Sequence, residues 1–116
     1  MNLSILDKNL IIELDWQEKL WSFNFSAKIE VPLNKIIRVT TDTPEFDYLE
    51  IRAPGTFIPG FLKAGTYYNR QSRSFWYVNK DKDYLTLYLT EDQYYKKIVL
   101  TLDKNTDWLT RINQAR

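Results

Sequence analysis

Between Tyr84 and Thr90 the side chains alternate without a break: Leu85, Leu87 and Leu89 point one way, Tyr84, Thr86, Tyr88 and Thr90 the other. A period of two in a Leu, Thr and Tyr segment predicts a strand with one core face and one half-exposed face. Ile98, Leu100 and Leu102 repeat the pattern against Lys97, Val99 and Thr101. Ser74 to Val78, with Phe75, Trp76 and Tyr77 in a row, is aromatic enough to be buried on both sides or to be partly covered by another element. The polar run Asn79-Lys80-Asp81-Lys82-Asp83 then joins it to the Tyr84 strand. The pattern therefore predicts an antiparallel hairpin there and a meander for the C-terminal half.

The N-terminal half carries the same signals. Leu3 to Leu6 and Leu10 to Leu14 flank Asp7-Lys8-Asn9, which reads as a hairpin, and Lys28 to Val31 and Ile36 to Thr41 read as strands around Pro32-Leu33-Asn34. Asp15-Trp16-Gln17-Glu18 matches a capping box, predicting a short helix over Trp16 to Ser22 with Trp16 and Leu20 on one face. After Asp103 the period changes. Trp108, Leu109 and Ile112 are spaced as one helical face, predicting a helix from about Asn105 to Asn113, capped by Asp103 or Asn105, with Arg111 near its negative end. The expected fold class is mainly β with one C-terminal helix, in a single domain over residues 1–116.

Composition narrows the chemistry. The chain has 116 residues, 44% of them hydrophobic and 16% aromatic, enough for one core. It has no Cys and no His, so disulfides, thiolate metal sites, thiol nucleophiles and imidazole bases are absent from it. Sixteen basic against 15 acidic side chains leave a net charge of +1, which argues against general nucleic-acid affinity. Met1 to Lys8 lacks the basic and apolar regions of a signal peptide, and no stretch approaches the ~18 apolar residues of a membrane span. A cytoplasmic location is the resulting expectation, and Asn24-Phe25-Ser26 is read as a chance match to a glycosylation acceptor.

All three glycines fall between Ala53 and Tyr67. Two Pro-Gly pairs, Pro54-Gly55 and Pro59-Gly60, predict tight turns in a specialised loop. The spacing of Gly55 and Gly60 is superficially that of a phosphate-binding loop, but Phe61 stands where that motif needs Lys. Phe57, Ile58, Phe61 and Leu62 are expected to fold inward and plug one end of the structure; exposed, they would mark a binding or membrane-touching surface. Lys63, Arg70 and Arg73, interleaved with Tyr67 and Tyr68, are read first as a solvated strand face and second as an anion or single-strand platform. Asp42, Glu45, Asp47 and Glu50 lack the spacing of a calcium loop and read as a solvated loop.

Arg52-x-Pro54-Gly55-Thr56, Pro59-Gly60, Gly65-Thr66-Tyr67, Phe75-Trp76-x-Val78 and the Tyr95 to Leu102 strand before a helix together resemble a group of small bacterial proteins. Trp16-x-Glu18-Lys19-Leu20 and Val31-Pro32-Leu33-x-x-Ile36 extend the resemblance over most of the chain. The group resembles the bacterial relatives of pleckstrin-homology domains, which implies a barrel of two nearly orthogonal antiparallel sheets with a helix across one open end. The resemblance brings no functional residues with it. It also departs from the phosphoinositide-binding members, because Asp7-Lys8-Asn9 offers one Lys beside an Asp where those members cluster basic residues.

The functional expectation is a non-catalytic binding or scaffolding module with a protein partner, without catalytic residues, metal or cofactor. The alternative is a module that contacts a membrane surface or anionic lipid through Phe57, Ile58, Phe61, Leu62, Lys63, Arg70 and Arg73. A small enzyme using carboxylate or tyrosine chemistry ranks below both. Nucleic acid is disfavoured as a partner, and exposed strand edges leave homo-oligomerisation open.

Overall fold

The computed structural model describes residues 1–24, 26, 28–44, 51–58, 62–68, 72–80, 83–102 and 107–116, with 51–55 described by their backbone. The chain opens with β1 (Asn2–Leu6) and β2 (Asn9–Glu13), joined by Asp7 and Lys8. Both linking residues have positive φ, 52° and 66°, the left-handed pair that a two-residue hairpin turn demands. Helix α1 (Trp16–Ser22) follows, with the predicted capping box in place: the Glu18 amide donates to Asp15 Oδ1 and the Asp15 amide to Glu18 Oε1, each at 2.9 Å. Phe23 ends it in the left-handed region and donates its N–H to the Lys19 carbonyl. Strand β3 (Ile29–Pro32) then pairs with β2, completing a sheet in the order β1-β2-β3.

A 3-10 turn over Leu33–Lys35 leads into the second sheet. It contains β4 (Ile36–Thr40), β5 (Ile51–Ile58), β6 (Leu62–Tyr68), β7 (Arg73–Asn79), β8 (Tyr84–Leu89) and β9 (Lys97–Thr101), in the order β4-β8-β9-β7-β6-β5. This corrects the predicted meander. Strands β7 and β8 do not pair; β9 lies between them, antiparallel to β8 and parallel to β7. Short connections favour hairpins, but here β9 takes the central place, with Ile98 and Leu100 buried in one core cluster and Val99 in another.

The predicted turn at Pro54-Gly55 is also corrected. Both residues lie within β5, at a register shift between Arg52 and Gly55 on an edge strand, where a proline is tolerated. The stretch from Ala53 to Gly65 is thus largely a β5–β6 hairpin, and Pro59, Gly60 and Phe61 lie outside the described residues. Gly65, at φ 134°, sits in β6 opposite Trp76, where a side chain would meet the indole.

The main core draws Leu10, Ile12 and Val31 from the small sheet and Phe75, Leu85, Leu87, Ile98 and Leu100 from the large one. Helix α2 (Trp108–Ala115) adds Trp108 and Ile112. It starts later than expected: Asp107 caps it, accepting from the Thr110 amide at 3.2 Å, and Asp103 and Asn105 lie outside the described residues. Arg111 stacks over the Trp108 ring at 3.9 Å instead of serving the helix end. A second cluster, Tyr67, Trp76, Val78 and Val99, occupies the opposite face of the large sheet. Ser74 to Val78 is therefore buried on both sides, the first of the two arrangements that its aromatic content allows. The described strands form two sheets that do not close into a barrel.

Candidate functional site

A cleft of about 660 Å³ is lined by residues of both sheets. One wall is Phe23, Asn24, Lys28 and the β3 residues Ile29 to Val31; the other is Thr66, Leu89, Ile98 and the β8–β9 connection at Gln93, Tyr94 and Tyr95. The connection is braced along its length. Lys35 Nζ lies 2.8 Å from Asp92 Oδ2, Thr90 donates to the same carboxylate, and Lys96 Nζ donates to the Gln93 carbonyl at 2.6 Å. The Lys96 amide also donates to the Arg73 carbonyl at 2.8 Å, which ties the connection to β7.

That bracing sets the tyrosines. The Arg73 guanidinium stacks 3.7 Å from the Tyr94 centroid and donates to the Tyr94 carbonyl at 3.2 Å. Tyr94 meets Tyr95 edge-on at 4.8 Å, and the Tyr95 ring tilts against Phe75 at 5.6 Å. The Tyr95 hydroxyl and Thr66 Oγ1 share a hydrogen bond of 3.2 Å at the cleft floor. Burial pushes the Tyr95 phenol above its ordinary pKa, against the opposing effect of Thr66, so it is a neutral donor and acceptor at physiological pH. Asp92 lies outside the cleft wall proper, and its bonds from Lys35 and then Thr90 lower its pKa to about 2.

The β3 wall offers backbone groups as well. The Leu33 amide donates to the Lys8 carbonyl at 3.0 Å, and the β2–β3 register continues this pairing through Leu10↔Val31 and Ile12↔Ile29. Antiparallel ladders alternate, so Ile29 and Val31 bond to β2 while the N–H and C=O of Glu30 point away from it, to the side on which no described strand pairs. Pro32 occupies the next outward position, where its missing N–H leaves no ladder bond unmade. Lys28 and Glu30 neutralise one another at 3.0 Å on the rim. The cleft can therefore stack, hydrogen-bond and extend a strand, with little net charge.

The sequence-derived surface residues scatter. Phe57 and Ile58 are exposed on β5, contrary to the inward plug expected of them, because they stand at the far end of an edge hairpin. Leu62 is half-buried. Lys63, expected on a solvated face, is only 6% exposed and lies over the Trp76 and Tyr67 rings at 3.6 and 4.4 Å. Arg73 is engaged by Tyr94, while Phe61 and Arg70 lie outside the described residues. Of the acidic run, Glu45, Asp47 and Glu50 also lie outside them, and among the described residues no three acidic, His or Cys side chains gather as a cation site.

Sequence reasoning missed Phe23, Tyr94 and Tyr95. The one signal was a Tyr pair inside an otherwise polar connection between two strands. No protein-family model matches the chain, and neither a curated protein nor a solved structure matches it.

Proposed function

We propose that this chain is a non-catalytic binding module that takes an extended, apolar or aromatic polypeptide segment into the cleft between its sheets. The observation that carries this reading is that Glu30, whose N–H and C=O point away from β2, lines the same cleft of about 660 Å³ as the braced Tyr94 and Tyr95. An added strand takes its affinity from main-chain hydrogen bonds and its specificity from pockets for alternate side chains. Glu30 supplies the first, and Phe23, Tyr94 and Tyr95 supply the second. The groups at hand are suited to recognition: Lys28 and Glu30 cancel, and the Tyr95 phenol resists ionisation. The resemblance to pleckstrin-homology relatives fits an interaction domain with two sheets and a C-terminal helix, and we keep it as part of this proposal.

The test is selection of displayed random octapeptides on the full chain, followed by amide-shift mapping with the enriched peptide. Enriched sequences should alternate apolar or aromatic residues and shift the amides of Ile29 to Val31 and Gln93 to Tyr95. Glu30→Pro removes the outward N–H without touching the β2 ladder and should abolish binding while melting stays cooperative. Peptides that map elsewhere, or bind Glu30→Pro equally well, refute the reading.

A further inference from the structure

Two hydroxyls from separate elements lie side by side in the cleft. Thr66 Oγ1 on β6 and the Tyr95 hydroxyl on the β8–β9 connection are 3.2 Å apart and share a hydrogen bond in which either oxygen can donate. Each hydroxyl carries one hydrogen, and the shared bond uses only one of the two. Whichever way that bond runs, one O–H is left over, with spare lone pairs beside it. Thr66 is 8% exposed, and Val31, Leu89 and Ile98 in the same lining are buried apolar residues. In such surroundings a donor left without an acceptor carries its full desolvation cost. A segment that seats here displaces the water serving that hydrogen, and an apolar side chain cannot replace the bond.

A carboxylate could accept the hydrogen, but it would enter without a counter-charge. Among the described residues that line the cleft the cation is Lys28, already paired with Glu30 at 3.0 Å, while Arg73 is stacked on Tyr94 and does not line it. Burial also pushes the Tyr95 phenol above its ordinary pKa, the mark of a place that disfavours negative charge. A neutral group therefore fits best. Of the neutral side chains, a carboxamide sets an acceptor and a donor next to one another, matching the spare O–H on one oxygen and a lone pair on its neighbour. A ligand hydroxyl would have to meet both with a single oxygen.

We propose that the paired hydroxyls of Thr66 and Tyr95 select an Asn or Gln carboxamide at one position of the otherwise apolar or aromatic segment that enters the cleft. The selection rests on the cleft reading and adds to it the side chain that is recognised. The test takes the octapeptide enriched on the full chain, replaces each of its residues in turn by Gln, Glu and Leu, and measures affinity by titration calorimetry. At one position Gln should bind at least about tenfold more tightly than Leu or Glu. Thr66→Val and Tyr95→Phe each delete one hydroxyl and keep the side-chain shape, and the Tyr95→Phe ring can still meet Phe75 and Tyr94. Each variant should erase the advantage of Gln while binding the Leu peptide as wild type does, with thermal melts verifying the fold. Carboxamide selection is overturned if no position favours Gln, if Glu binds as tightly as Gln, or if the preference survives in either folded variant. Peptides that shift Ile29 to Val31 without preferring Gln would sink the selection and leave the cleft reading standing, whereas peptides that never map to the cleft would sink both.

Discussion

The Lys63 ammonium lies 3.6 Å from the centroid of the Trp76 ring, with Lys63 6% and Trp76 0% exposed. The same cation sits 4.4 Å from Tyr67, and Lys97 approaches the indole at 5.0 Å. Aromatic faces stand in for part of the water that an ammonium so enclosed gives up.

Replacing Lys63 by Met keeps the stem and deletes the charge. The expected loss is about 1–2 kcal/mol in urea unfolding, the worth of a desolvated cation–π contact. Trp76→Ala should cost more, about 3–5 kcal/mol, because it opens a cavity as well. A Lys63→Met protein as stable as wild type would mean the ammonium contributes nothing.

Thr86 is 1% exposed, and its hydroxyl has no hydrogen-bond partner among the described residues. A buried hydroxyl without a partner carries a desolvation cost that a methyl of the same shape avoids. Thr86→Val should therefore stabilise the fold by about 1 kcal/mol. Destabilisation of similar size would reveal a bond to that oxygen.

Asp15 accepts the Glu18 amide and thereby starts α1. Asp15→Ala should cost about 0.5–2 kcal/mol, and Asp15→Asn far less, since the amide oxygen still caps. Thermal melts of the two variants side by side make the comparison.

The Asp92 carboxyl is held at about 2, below its ordinary 3.8, by Lys35 and Thr90. The folded state thus prefers the carboxylate, so this stabilisation is present above about pH 4 and is lost as pH falls through about 2. Side-chain NMR titration should find that midpoint, and Lys35→Ala should return it towards the ordinary value. A midpoint near 3.8 in wild type would contradict the pairing.

Ile112 is fully buried in the main core, while Asn113, its neighbour, is exposed. Ile112→Ala should cost about 2–5 kcal/mol and Asn113→Ala under about 0.5 kcal/mol. Equal effects would mean that α2 does not dock through its apolar face.

Local rules explain what could be read early. The Asp15–Glu18 box spans three residues and needs no partner, so α1 is found over Trp16–Ser22 as predicted. The alternation of Leu85, Leu87 and Leu89 likewise names their core face, because period two is a property of the strand itself. The cleft was illegible for the opposite reason: Phe23 and Tyr95 are far apart in sequence and meet only because separate sheets bring their walls together.

The sequence by itself determined the strands other than β5 and β6, the β1–β2 turn, the start of α1 and the absence of thiol and imidazole chemistry, all of which follow from residue type and near-neighbour bonding. Tertiary structure decided the rest. It inserted β9 between β7 and β8, placed Pro54-Gly55 inside an edge strand and enclosed Lys63 over Trp76. It also left Trp16 and Leu20 of α1 exposed. Each outcome depends on which distant surfaces compete for burial, a contest between side chains that the order of residues along the chain does not resolve.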